Sequence, residues 1–323
     1  MNFGMVLGLY RLNQNLSIMK IGKLLFGILF TGLLASSCYT EVVFEDDFYV
    51  EPPYNAALTL ESYDLWYVDI HETRGNGEVA FLQHAFTISF DRGTVLANNN
   101  LVGIGKTGNG LGIDVGSYDI LFGSVEIDHD VDGLWLLDVY EMNNHTLELR
   151  DPQSNTTYVL RGYQRNSFDY DMIFYDNIHY FLQEYEAWEK TYTSQEGAVN
   201  DFDNENYLQF LSNNDGLFRS SIDASGTSLI NLQWDYEGDY AVYDVANDDT
   251  LKTLTLDYDF LGNDYFELYV INDSTIELYH VASGTVYEFT GRGYMQYLKT
   301  GSSGKARTKV KNATMNVARQ RKM

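Results

Sequence analysis

The chain has 323 residues, 45% hydrophobic and 15% aromatic, with three prolines against 26 tyrosines and 18 phenylalanines. That composition supplies a sizeable core and aromatic-rich strands, and it excludes a chain without a packed fold. The formal charge of −25 is uneven: residues 41–298 hold all 46 carboxylates against ten basic groups, whereas residues 299–323 hold eight basic groups and no acid. So acidic a body repels nucleic acid, and no nucleic-acid partner is expected.

Residues 1–37 read as a secretory signal peptide whose true start is Met19. Lys20 and Lys23 form its basic region, Leu24 to Leu34 its apolar region, and Ala35, Ser36 and Ser37 precede Cys38. The apolar stretch is too short and wrongly flanked to span a bilayer as a helix. Cys38 is the only cysteine, so no disulfide within the chain is available to the exported protein. Its setting resembles the lipobox of bacterial lipoproteins, which implies acylation of Cys38, with palmitate among the chains, and the membrane as partner through them. Residues 38–57 read as an acidic tether in which Pro52 and Pro53 block helix. Within it, Glu45-Asp46-Asp47-Phe48 resembles the signal that sends Bacteroidetes lipoproteins to the cell surface. The resemblance implies an outer-membrane lipid anchor exposed at that surface.

The body repeats one unit. Residues 125–162 align without a gap on 254–291, with twelve of 38 positions identical, among them Gly133/Gly262, Leu149/Leu278, Tyr158/Tyr287 and Gly162/Gly291. Upstream, at an offset of 122, Tyr63/Tyr185, Trp66/Trp188, Gly116/Gly238 and Tyr118/Tyr240 match, so the second copy carries a seven-residue insertion. Both copies alternate with period two, placing Leu137 and Val139, or Phe266 and Leu268, on one face and polar residues on the other. Two- to four-residue turns separate the runs, giving seven or eight antiparallel strands per copy, with a short helical turn before Trp66 and Trp188. A meander of that size is expected to close into a barrel, removing its edges. The fold class is therefore all-β, with two tandem antiparallel β-barrels following the signal peptide. Repeat 1 spans 58–165, a linker and repeat 2 span 166–298, and 299–323 form a basic tail expected to be disordered.

The tryptophan on the first strand, the turns of "DG" type and the final "ELY…YEFTGR" pair resemble the lipocalin-like lipoprotein domains of Bacteroidetes. That resemblance implies two lipocalin-like domains binding a small apolar ligand or an envelope partner. The alternatives are a nicotinate mononucleotide adenylyltransferase and a purely structural envelope protein. The whole chain also resembles a flavobacterial lipoprotein group in which some members carry the label nicotinic acid mononucleotide adenylyltransferase. The H-x-G-H and I-S-S-T-x-x-R motifs of that enzyme family are missing here, and its α/β sheet conflicts with the strand pattern.

Other motifs weigh lightly. Residues 103–110, "GIGKTGNG", echo a P-loop, but Asn100 stands where its first glycine belongs and the glycines after Thr107 cannot open a helix. Asp128, Asp130 and Asp132 match the start of a calcium loop, yet Val139 occupies the position of its bidentate glutamate. Trp66 and Trp188 are read as plugs of the closed barrel ends, with ligand contact the lesser alternative. No catalytic motif and no cofactor are expected.

Overall fold

The computed structural model describes residues 56–75, 81–82, 85–211, 216–295 and 313–315. Cys38, the expected signal peptide, the tether up to residue 55 and most of the basic tail lie outside the described residues. Among the described residues no helix is long and apolar enough to cross a membrane.

After a short helix α1 (Ala56–Leu60), the first copy forms β1 (Leu65–Arg74), β2 (Thr87–Asp91), β3 (Thr94–Asn98), β4 (Ile113–Leu121), β5 (Ser124–His129), β6 (Gly133–Asn143), β7 (Thr146–Asp151) and β8 (Thr156–Tyr163). These strands pair in chain order, and β1 closes on β8 with Trp66 opposite Gly162. Two helices follow, α2 (Tyr170–Asp176) and α3 (Ile178–Gln183). The second copy then forms β9 (Tyr185–Thr193), β10 (Tyr207–Phe210), β11 (Leu217–Ser221), β12 (Tyr236–Val245), β13 (Asp248–Tyr258), β14 (Gly262–Asn272), β15 (Thr275–His280) and β16 (Val286–Tyr294). It closes in the same register, with Trp188 opposite Gly291. The body is thus two closed eight-stranded antiparallel barrels in tandem. Helical turns precede both tryptophans as expected; α2 is an additional element.

Alternation along each strand decides what lies inside. Val125, Ile127, Leu137, Leu147, Leu149 and Leu160 are buried in the first barrel, and Leu254, Leu256, Phe266, Leu268, Ile276, Leu278 and Phe289 in the second. Gly133 and Gly262 open β6 and β14 with φ of 78° and 96°, the left-handed backbone that each hairpin turn requires.

The seven-residue insertion lengthens strands rather than a loop. In the first barrel Tyr118 and Ile120 pair with Ile127 and Val125 before a two-residue turn. In the second, β12 and β13 run on from Tyr240 opposite Leu256 to Asp244 opposite Lys252, and the turn is again short. Antiparallel strands grow in pairs, so an odd insertion needs a bulge. The register shift between Asp244 and Val245 absorbs it. Along this extension, beyond the reach of β11, a strand from the basic tail, β17 (Ala313–Met315), pairs in parallel with Tyr243–Val245.

Candidate functional site

The closed ends of the barrels share one construction. The Trp66 indole N–H donates to Leu60 O at 2.9 Å, and Trp188 donates to Leu182 O at 2.8 Å. Tyr63 meets Trp66 edge-on at 5.1 Å and Tyr185 meets Trp188 at 4.8 Å. Each tyrosine lies on the glycine of the last strand: a Cβ on Gly162 would sit 2.3 Å from the Tyr63 ring, and one on Gly291 2.5 Å from Tyr185. The tyrosine hydroxyls donate to Asn144 O and Asp273 O, in corresponding turns. The tryptophans are 1% and 0% exposed with their N–H groups satisfied, so neither offers surface to a ligand in this structure. Plug is their role.

Asp128, Asp130 and Asp132 are exposed around the β5–β6 turn. Between them His129 is buried, and its Nδ1 accepts from Val131 N and Asp132 N at 3.3 and 3.0 Å. Among the described residues no group of three His, Cys, Asp or Glu side chains is placed to hold a metal ion.

The segment that echoes a P-loop joins the two barrels. Glu184, 1% exposed just before β9, accepts at its carboxylate from Leu101 N and Val102 N at 2.9–3.0 Å. Lys106 Nζ donates to Asp273 at 2.5 Å, in the β14–β15 turn. Tyr170 lies against Gly105 and Gly110, where any Cβ would meet its ring or hydroxyl at 2.9–3.1 Å. The glycines admit that close approach.

At the other end of the second barrel lies a buried polar cluster that sequence reasoning missed. The turn Asp201–Asn204 inserts Phe202 among Phe266, Tyr287 and Phe289, at ring distances of 4.7, 5.0 and 6.1 Å. Lys190 Nζ donates to Asp203 O at 2.6 Å and stands 5.4 Å from the Tyr287 ring centre. Burial pushes the Lys190 ammonium down to about 8, against the pull of Asp203 and Glu205. Glu205 accepts from the Tyr258 hydroxyl at 2.9 Å on both oxygens, yet burial pushes its carboxyl up to about 7. These groups tie the Asp201–Asn204 turn and the Glu205 that follows it to the barrel wall.

The open chemistry lies outside the barrels. Residues facing outward from β1 and β8 form a wall: Tyr67 is opposite Arg161, and Leu65 is opposite Tyr163. The chain leaving β8 folds back over this wall through the short 3-10 turn Arg165–Ser167 and α2. Asp169 starts α2 by accepting from Asp171 N and Met172 N. Between wall and helix lies a cleft of about 350 Å³, lined by Tyr67, Tyr163, Phe168, Met172 and Ile173 together with Asp69, Asp169, Asp176 and Arg161. A shallower depression of about 540 Å³ adjoins it across Arg161 and Tyr163 and reaches Tyr63 and His145. Tyr163, Phe168 and Tyr170 make a continuous aromatic edge, with successive rings 4.9 and 4.7 Å apart.

The charges of the cleft are unequally satisfied. Asp69 accepts from His71 N and Glu72 N on one oxygen and from Arg161 Nε at 3.2 Å on the other. Arg161 also reaches Glu72 at 2.7 Å, so two carboxylates offset its charge. Asp176 has one hydrogen bond among the described residues, from the Tyr67 hydroxyl at 3.5 Å. Burial raises its carboxyl above the ordinary range, while Lys252 and His71 draw it the other way. Tyr67 accepts from Asn177 Nδ2 at 3.1 Å, and burial, then the neighbouring Asp176, raises its hydroxyl. None of these residues stood out in the sequence, beyond the polar outward positions of β1. Neither a protein-family model nor a curated protein sequence matches the chain.

Proposed function

We propose that the protein is an exported lipoprotein, anchored through acyl chains on Cys38 at the outer surface of the cell, that binds a small, largely apolar ligand without turning it over. Its two lipocalin-like barrels serve as a rigid frame, and the ligand is held outside them, in the cleft between the β1–β8 wall and α2. The observation that carries this reading is the contrast between barrel interiors filled by buried side chains and an aromatic-lined cleft of about 350 Å³ beside them. The signal-like residues before Cys38 support the anchor.

Ligand-observed NMR of the full chain against a library of small aromatic and aliphatic fragments tests the site. Hits are expected to vanish in Tyr163→Ala and Phe168→Ala and to persist in Trp188→Phe; the opposite pattern would move the site into a barrel. Cys38→Ala is expected to shift the protein from membrane to soluble fractions, and unchanged membrane retention would remove the anchor from the proposal. A purely structural envelope role is the second reading, favoured by the packed interiors. A screen without hits would select it.

A further inference from the structure

Resting on that reading of the cleft, we infer that its ligand is an organic cation: an ammonium group seated against Asp176, with an apolar body lying along Tyr67, Tyr163 and Phe168.

An ionised carboxylate accepts at about four lone-pair sites, and a partly buried one left short of partners is destabilised. Of the three carboxylates lining the cleft, Asp69 is filled by two backbone N–H groups and Arg161. Asp169 is engaged by the first N–H groups of α2. Among the described residues, Asp176 has the single Tyr67 contact at 3.5 Å, longer than a good hydrogen bond. It is half-buried at the end of α2 and borders the cleft. Both contacts to Asp169 fall on its Oδ1, but this residue is exposed and water completes the shell of its other oxygen; of the two partly buried carboxylates, Asp176 is the one with capacity to spare.

The nearby basic side chains are already engaged. Lys252 donates to Asp244, Arg161 is shared between Asp69 and Glu72, and the His71 Nε2 faces the backbone carbonyl of Asp176 at 2.6 Å. Lys252 and His71 act on Asp176 through charge, and neither lines the cleft. Burial of the Asp176 carboxyl disfavours its charged form, and an incoming cation reverses that disadvantage. The walls suit the same class of ligand. Aromatic faces attract a cation within about 6 Å of the ring centre, and a desolvated ammonium gains more from them than a solvated one. Tyr67 and Tyr163 flank Arg161 on the wall, and Phe168 meets the Tyr163 ring at 4.9 Å, so the apolar part of a ligand has a surface continuous with the carboxylate. The body of the protein, carrying 46 carboxylates, also draws cations toward it. An anion would have to compete with Asp69 and Glu72 for Arg161 while facing Asp176 and Asp169. That arrangement opposes it.

The test uses three probes with a shared aromatic ring: benzylammonium, benzyl alcohol and phenylacetate. Their affinities for the full chain are measured by calorimetry and by the shifts of cleft resonances. Benzylammonium is expected to bind at least tenfold more tightly than benzyl alcohol, with phenylacetate weakest. Asp176→Asn, close in shape, is expected to bring the ammonium probe to the level of the alcohol and to leave the alcohol unchanged. Asp176→Ala is the second variant, and the thermal midpoints of both report whether the fold is kept. Equal binding of all three probes, or a preference that survives both variants, overturns the cation while leaving the cleft in place. Tightest binding of phenylacetate overturns it in favour of Arg161. No binding by any probe removes the cleft itself, and the inference with it.

Discussion

The two barrels agree at one end and part company at the other. At the closed end, α1 and α3 each present a carbonyl to the indole of Trp66 or Trp188, and a tyrosine lies on a glycine of the closing strand. Next to each plug, Tyr118 donates to Glu61 at 2.6 Å, and Tyr240 accepts from Gln183 at 2.9 Å. At the open end the copies differ in chemistry. In the first barrel Phe81 stacks on His129 at 5.1 Å beside Trp135, and the inward residue of β1 there is Val68. The corresponding residues of the second barrel are Tyr258, Asp264 and Lys190, around the inserted Phe202. The difference separates what closes such a barrel from what can vary once it is closed. The plug aligns the first and last strands, so its geometry is shared; the open end is finished by whatever segment crosses it.

The largest effect should come from the plugs. Trp66→Ala and Trp188→Ala are each expected to cost about 3–5 kcal/mol, because each empties a buried site that its neighbours cannot refill. Denaturant unfolding of the two variants should give similar losses, and a difference of more than about 2 kcal/mol would break the equivalence of the closed ends.

Next comes the open end of the second barrel. The folded Glu205 carboxyl, at about 7, holds its proton more tightly than the unfolded chain, whose glutamates titrate near 4.3. The native state therefore binds more protons between these values, and wild-type stability should fall as pH rises through that window. Glu205→Gln should flatten this decline and leave the variant more stable at pH 8, by on the order of 3 kcal/mol. Urea titrations at pH 5 and pH 8 measure it. Parallel behaviour of variant and wild type would remove the contrast between the two open ends.

A smaller loss should follow from crowding the plug. Gly162→Ala and Gly291→Ala each drive a methyl group into a tyrosine ring and should cost about 1–3 kcal/mol. Melting temperatures would show whether Tyr63 and Tyr185 yield equally, and a neutral result at either site would mean that its ring shifts freely.

The smallest effect should be at the loop between barrels. The Lys106 side chain is 74% exposed where it meets Asp273, so Lys106→Ala should cost under about 1 kcal/mol, and less at high salt. A loss well above that would promote this pair to a main tie between the copies. Glu184 would then no longer be the dominant contact, despite its buried carboxylate and paired backbone donors.

Much of the fold was legible in the residues alone. Period-two alternation assigned Leu137, Val139, Leu149 and their counterparts Phe266, Leu268 and Leu278 to barrel interiors, and all six are buried. An internal duplication compares a sequence with itself, so the shared Tyr, Trp and Gly positions stood out; that Tyr63 on Gly162 and Tyr185 on Gly291 complete the tryptophan plugs was shown only by the fold. The cleft was not legible in this way. Its walls come from Tyr67, from Arg161 and Tyr163 nearly a hundred residues later, and from the α2 segment beyond them. Only barrel closure brings β1 beside β8, and only the return of the chain over that seam sets Asp176 under Tyr67 with so few partners. Alternation is a local property, fixed by which side of a strand meets water. The bonding capacity left to a carboxylate is set by every group that folding brings near it, so tertiary structure alone decided it.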